Sequence, residues 1–157
     1  MKSILFVCTG NTCRSSMAEA MFKDMLTGAG PKIEAASAGT AVSCGQGASK
    51  HAVEVMKGMG IDLSGHTSRP VGLDDLDRAG LVLTMTRAHK RMVLELAPEA
   101  SEKVFTLKEY VYRDLKDAEL DIPDPFGGSV KEYRVCALEI RDALEKLVEK
   151  LKEEWGR

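Results

Sequence analysis

Apolar residues alternate along this chain between short continuous runs and spaced, helix-like patterns. The run KSILFV at residues 2–7 is compact and apolar, ends at Cys8, and predicts a strand. Met17, Ala18, Met21, Phe22 and Met25 then recur at helical spacing, so a helix follows the turn. KIEAASAG, residues 32–39, reads as a second strand closed by Gly39, and residues 39–47 as a loop. In residues 48–60, Ala48, Ala52, Val55, Met56 and Met59 share one helical face, with Gly58 and Gly60 suited to its end. A turn-rich stretch (61–72) and a short helical piece (73–79) lead to LVLTM at 81–85, a continuous apolar run that predicts a buried parallel strand. Thr86 is placed to cap a helix over 87–97 that Pro98 ends, and KVFTL at 103–107 predicts a fourth strand. After the loop DIPDPFGGS at 121–129, Ser129 and Glu132 form a capping box. The last helix follows, with Cys136, Ile140, Leu144, Leu147, Leu151 and Trp155 in one apolar stripe.

Strand and helix in alternation imply an α/β fold: a doubly wound sheet of about four parallel strands, helices on both faces. In such a sheet, ligands bind beyond the carboxyl ends of the strands, where the loop after the first strand lies. A chain of 157 residues is long enough for one well-packed core, and a single domain over 1–157 is expected. A net charge of -2 with both signs interspersed offers no basic surface for a nucleic-acid backbone, so nucleic acid is not an expected partner. ILFVC is far too short for a signal-peptide core or a bilayer span, which leads to the expectation of a cytoplasmic protein with no membrane partner. The four cysteines are unevenly spaced and do not resemble a secreted disulfide framework. In a reducing compartment a cysteine is more informative as a nucleophile.

The turn after the first strand, CTGNTCRS at residues 8–15, concentrates that chemistry. A loop of this length entering a helix can curl its backbone N–H groups inward, making an anion nest at the positive end of the helix dipole. Gly10 and Asn11 are residue types that tolerate the left-handed backbone such curling needs. Thr9, Gly10, Asn11, Thr12, Cys13 and Ser15 are thus candidate phosphate-binding positions. Arg14 can hold two oxygens of a tetrahedral oxyanion bidentately. Cys8 lies at the loop's start in a field that favours the thiolate, to which Ser15 can donate. An ATPase loop would need Gly-x4-Gly-Lys, which is absent, and zinc at Cys8 and Cys13 lacks two further ligands in a recognisable pattern.

The stretch resembles the phosphate-binding signature C-x-G-N-x-C-R-S of the low-molecular-weight protein-tyrosine phosphatase family. SAGT at 37–40, HTSRP at 66–70, LVLTM at 81–85 and DPFGG at 124–128 extend the resemblance over nearly the whole chain. It implies a phosphoprotein phosphatase with Cys8 as nucleophile, Arg14 as phosphate clamp and Asp124 as general acid, acting on phosphorylated proteins without metal or other cofactor. Pro123 and Pro125 stiffen the loop around Asp124; Asp121 is the rival carboxylate but lacks a following Pro. Thr12 stands where the tyrosine-specific branch commonly has a bulky aliphatic, and DPFGG has Phe126 followed by Gly127 where that branch tends to have two aromatics. Both features resemble the bacterial protein-arginine phosphatases. Phosphoarginine is therefore the expected substrate, with protein-tyrosine phosphatase as the alternative and Thr12 and Phe126 as specificity residues.

The chain has Ser16 where the family usually has Pro, and Ser16 with Glu19 is expected to form a capping box. An arsenate reductase of the same fold would need relay cysteines within 81–100, where there are none. A non-catalytic phosphate-binding module remains the reading from a different class. Cys13 is a possible redox partner of Cys8, forming a reversible disulfide, or a small packing residue. Cys44 and Cys136 are read as structural. His51, His66 and His89 are read as structural or surface residues, residues 108–114 as an amphipathic piece that packs or is solvated, and the protein as a monomer.

Overall fold

The computed structural model describes residues 2–28 and 31–156. Among the described residues four strands are present: β1 (Lys2–Cys8), β2 (Ile33–Gly39), β3 (Leu81–Thr84) and β4 (Val104–Thr106). Among these residues six α-helices accompany them: α1 (Arg14–Met25), α2 (Lys50–Gly58), α3 (Leu73–Arg78), α4 (Arg87–Leu96), α5 (Leu107–Val111) and α6 (Val130–Trp155). All strand pairs are parallel, in the order β2-β1-β3-β4. Because β1 pairs with β2 on one side and β3 on the other, the connections leave the sheet in opposite directions. Their divergence opens a crevice beyond the carboxyl end of β1.

Strand side chains alternate between faces, and the two cores follow that alternation. Ile4, Phe6 and Cys8 of β1 and Leu81 and Leu83 of β3 pack with Met17 and Phe22 of α1, Met56 of α2 and Ile140, Leu144 and Leu147 of α6. Leu5 and Val7 of β1, Val82 of β3 and Val104 of β4 pack instead with Leu76 of α3 and Val93 of α4. β1 is thus covered on both faces, which is why it reads as unbroken apolar sequence. Phe6 meets Phe22 edge-on, ring centroids 5.6 Å apart at 68°. This contact ties β1 to α1, the two elements that hold the Cys8 loop between them.

Two local expectations need correction. The fourth strand stops at Thr106, and Leu107 opens α5. Thr106 accepts from Glu109 N at 3.0 Å and Glu109 accepts from Thr106 N at 2.6 Å, a capping box that outweighs the apolar run. Ser16 does not cap α1, which already begins at Arg14 with Cys13 as its N-cap residue and no side-chain cap. The Ser16 hydroxyl donates to the Cys13 carbonyl at 2.9 Å, and Glu19 is engaged by Ser37 and Lys23.

Candidate active site

The loop joining β1 to α1 is held from outside by its carbonyls. Thr40 N donates to Cys8 O at 2.9 Å, Ala41 N to Thr9 O at 3.0 Å and Ser49 N to Thr12 O at 2.9 Å. His66 Nε2 lies 2.6 Å from Asn11 O. By contrast, the N–H groups of Gly10, Asn11, Thr12 and Cys13 find no backbone acceptor among the described residues. With the uncapped first turn of α1, these donors form the kind of cluster that can receive an anion. Asn11 alone in the loop takes the left-handed backbone, at φ 56°, while Gly10 does not, so half of that expectation is corrected. Asn11 is suited to the role because its side chain donates to Ser15 Oγ at 2.8 Å and accepts from Arg69 N at 3.1 Å.

Cys8 is buried, with its sulfur 2.9 Å from Ser15 Oγ. Asn11 already donates to that hydroxyl, so the Ser15 proton has two acceptors, the sulfur at 2.9 Å and the more distant Ala38 O at 3.5 Å. Arg14 is buried as well: its Nη1 donates to Ile122 O at 2.9 Å, and its Nη2 lies 3.5 Å from both Thr9 Oγ1 and Asp124 Oδ2. Arg14 Nε is buried without an acceptor among the described residues, an unsatisfied donor at the base of the loop.

The two loop carboxylates separate clearly. Asp124 is about half exposed, borders the cleft over Cys8, and accepts from Phe126 N at 3.0 Å. Asp121 is instead committed to Arg87, receiving its N–H at 2.8 Å and its Nη2 at 3.1 Å. Burial raises the Asp121 pKa, but the Arg87 hydrogen bonds and charge outweigh it and leave the pKa lowered. Asp121 is therefore an ionised strut, unsuited to donating a proton.

The cleft, about 270 Å³, gathers Cys8, Thr9, Gly10, Thr12, Cys13, Arg14, Asp124 and Phe126, with Phe126 73% exposed at its rim. Its other wall was not legible from sequence: Ala41, Val42, Ser43, Cys44 and Gln46, from a loop that reads only as small and polar. Cys44 is an exposed, free thiol on this wall rather than a structural residue. Cys13 Sγ lies 3.3 Å from Tyr133 OH and 3.4 Å from Ser49 Oγ. Burial and the Cys13 contact push the Tyr133 phenol up to about 12, so it stays a donor. Cys136 is buried, its thiol pushed up to about 12 by burial and directed at Pro123 O, in keeping with a structural role. His66 and His89 are closer to the chemistry than expected: His66 braces Asn11, and His89 Nε2 lies 2.7 Å from Thr9 Oγ1.

Gly39 closes β2 directly beneath the loop. A Cβ there would abut Thr9 O, lie 2.6 Å from Val42 Cγ2 and sit 3.1 Å from Asn11 N. Two of these neighbours are backbone and cannot swing aside. Gly39→Ala is expected to cost about 1–3 kcal/mol of stability and to weaken binding of inorganic phosphate about tenfold. Denaturant melts and isothermal titration check this; unchanged phosphate affinity would show that the loop does not depend on that close approach.

Comparison with known proteins places this geometry. The sequence model of the family described as low molecular weight phosphotyrosine protein phosphatase matches residues 3–156. A protein-arginine-phosphatase of Geobacillus stearothermophilus is 43% identical over 96% of this chain and 97% of its own. The structure of a YwlE arginine phosphatase mutant with a phosphorylated active-site serine superposes with a TM-score of 0.90 at 40% identity, covering 98% of this chain and 97% of that one. A low molecular weight protein tyrosine phosphatase from T. tengcongensis superposes with a TM-score of 0.89 at 43% identity, covering 96% and 100%. The chain belongs to the low molecular weight phosphotyrosine protein phosphatase family.

Proposed function

We propose that this protein removes phosphate from phosphoarginine in proteins, through a cysteinyl-phosphate formed on Cys8. The observation that carries the reading is the convergence on one cleft of the Cys8 sulfur, the buried Arg14, whose Nε has no acceptor among the described residues, and the Asp124 carboxyl. Cys8 thiolate attacks phosphorus, the bond from phosphorus to the guanidine nitrogen breaks, and Asp124 protonates that nitrogen. Arg14 and the loop N–H groups hold the equatorial oxygens as charge redistributes. Water then attacks the cysteinyl-phosphate, Asp124 takes its proton, the S–P bond breaks and orthophosphate leaves. Ser15 donates to the sulfur in both steps, steadying it as attacking and as leaving group. The phosphorylated active-site serine in the YwlE mutant supports a covalent phosphoenzyme here.

Overall identity does not choose the substrate, since relatives named for arginine and for tyrosine are each 43% identical. The Thr12 hydroxyl at the cleft wall favours phosphoarginine, because it offers a hydrogen bond to a guanidinium where an aliphatic chain would offer only contact with a phenyl ring. Thr12→Ile is expected to shift the ratio of kcat/KM for phosphoarginine and phosphotyrosine peptides at least about tenfold toward phosphotyrosine. Equal ratios in the two proteins would remove Thr12 from substrate choice. Among the described residues no helix is long and apolar enough to cross a membrane. The reactive Cys8 and the exposed free Cys44 suit the reducing cytoplasm, where we place the protein. Because one chain builds the whole cleft, we take it to act as a monomer.

A further inference from the structure

His89 sits buried at the first turn of α4, between the outer end of that helix and the phosphate loop. Its Nδ1 lies 3.0 Å from Thr86 Oγ1 and its Nε2 2.7 Å from Thr9 Oγ1. Thr9 Oγ1 in turn accepts from Arg14 Nη2 at 3.5 Å. A continuous polar path therefore runs from the cap of α4 through one imidazole to the guanidinium in the cleft. Burial, and then the charge of Arg14, push the His89 pKa down to about 4, against a smaller opposing pull from Asp124 and Asp121. The ring is neutral at physiological pH and has one donor and one acceptor nitrogen.

The hydrogen inventory decides which nitrogen is which. Thr86 Oγ1 already accepts the capping N–H of His89 at 3.2 Å, and among the described residues its own hydrogen meets no acceptor but Nδ1. Nδ1 then accepts, and Nε2 carries the ring hydrogen and donates to Thr9. With two donors arriving at Thr9 Oγ1, from His89 and from Arg14, the Thr9 hydrogen is left over at an exposed residue bordering the cleft. The opposite tautomer would spend that hydrogen on His89 and leave the hydrogen of the half-buried Thr86 with no acceptor among the described residues.

We propose that His89 is a positioning residue for the phosphatase reaction: with its hydrogen on Nε2, it fixes the Thr9 hydroxyl as an acceptor for Arg14 and turns that hydroxyl's own hydrogen toward a bound phosphoryl oxygen. This rests on the phosphatase reading above. The contact is made to phosphoryl oxygens in the ground state and the transition state alike, so its loss raises KM more than it lowers kcat.

Nitrogen-15 NMR of the wild-type imidazoles at pH 7, together with kinetics on p-nitrophenyl phosphate and inhibition by inorganic phosphate, tests the assignment. The expected results are an Nε2–H tautomer for His89 and, in His89→Phe, a rise of about tenfold in both KM and the inhibition constant for phosphate, the effect of one hydrogen bond to a charged group. His89→Gln, which keeps a donor toward Thr9, is expected to return both constants to within about threefold of wild type. An Nδ1–H tautomer, an imidazolium, or wild-type phosphate affinity in the Phe variant would overturn the proposal. Should the Phe variant not fold, the wild-type tautomer and the Gln variant still decide it. Wild-type protein that fails to hydrolyse p-nitrophenyl phosphate would instead sink the phosphatase reading, while the imidazole spectrum would still show whether His89 orients Thr9.

Discussion

Cys8→Ser is expected to lower turnover by roughly 10⁴ or more while leaving inorganic phosphate bound about as well as in the wild type. The asymmetry follows from where the two functions reside. In the proposed mechanism, binding draws on Arg14, whose buried Nε has no acceptor among the described residues, and on the N–H groups of residues 10–13, which the substitution leaves in place. Attack draws on the sulfur alone. An oxygen at the same place still meets Ser15, but a neutral hydroxyl is a far weaker nucleophile than a thiolate, and the Ser15 partner is itself a hydroxyl rather than a base. A second consequence is specific to this chemistry. If slow transfer to the new serine does occur, the phosphate ester formed has a poor leaving group and persists. Intact-mass analysis after incubation with p-nitrophenyl phosphate is then expected to find phosphate on residue 8, as on the active-site serine of the YwlE mutant. Turnover near the wild-type rate would remove Cys8 from the mechanism.

The framework, and the loop that forms the centre of the candidate site, were legible in sequence because both are local. β1 and β3 read as unbroken apolar runs since helices cover both their faces, and the α6 stripe reads clearly over a helix of 26 residues. Cys8, Arg14 and Ser15 lie within eight consecutive positions, so a single loop brings them together. What was missed depends on contacts across the chain. His89 is 80 positions from Thr9 and His66 is 55 from Asn11, and neither carries a local pattern that announces its partner. The wall that includes Cys44 and Gln46 comes from a loop with no periodicity. The Ser16–Glu19 pattern failed for a related reason. A capping box satisfies helix N–H groups with side chains, whereas this helix has no side-chain cap and starts three residues earlier, at Arg14 rather than Met17.

The choice between Asp121 and Asp124 shows the same division and leads to the second large effect. Both belong to one Pro-rich loop, yet Arg87 claims Asp121 through its backbone N–H and its guanidinium, while Asp124 shares Arg14 with the cleft. Asp124→Asn keeps the size of the side chain and an acceptor for Phe126 N but removes the transferable proton. The loss in kcat is expected to be about 10²–10⁴, the usual worth of general acid help. It is expected to grow as the leaving group becomes more basic, because an acidic phenol departs as its anion while a guanidine nitrogen must be protonated to leave. Rates measured across a series of aryl phosphates should therefore depend more steeply on the phenol's acidity in the Asn variant than in the wild type. Asp121→Asn, by contrast, is expected to act through stability, loosening the start of α4 while preserving that dependence. If instead the Asp121 variant steepened it and the Asp124 variant did not, the proton would have to be assigned to Asp121 despite the Arg87 contacts that hold it ionised.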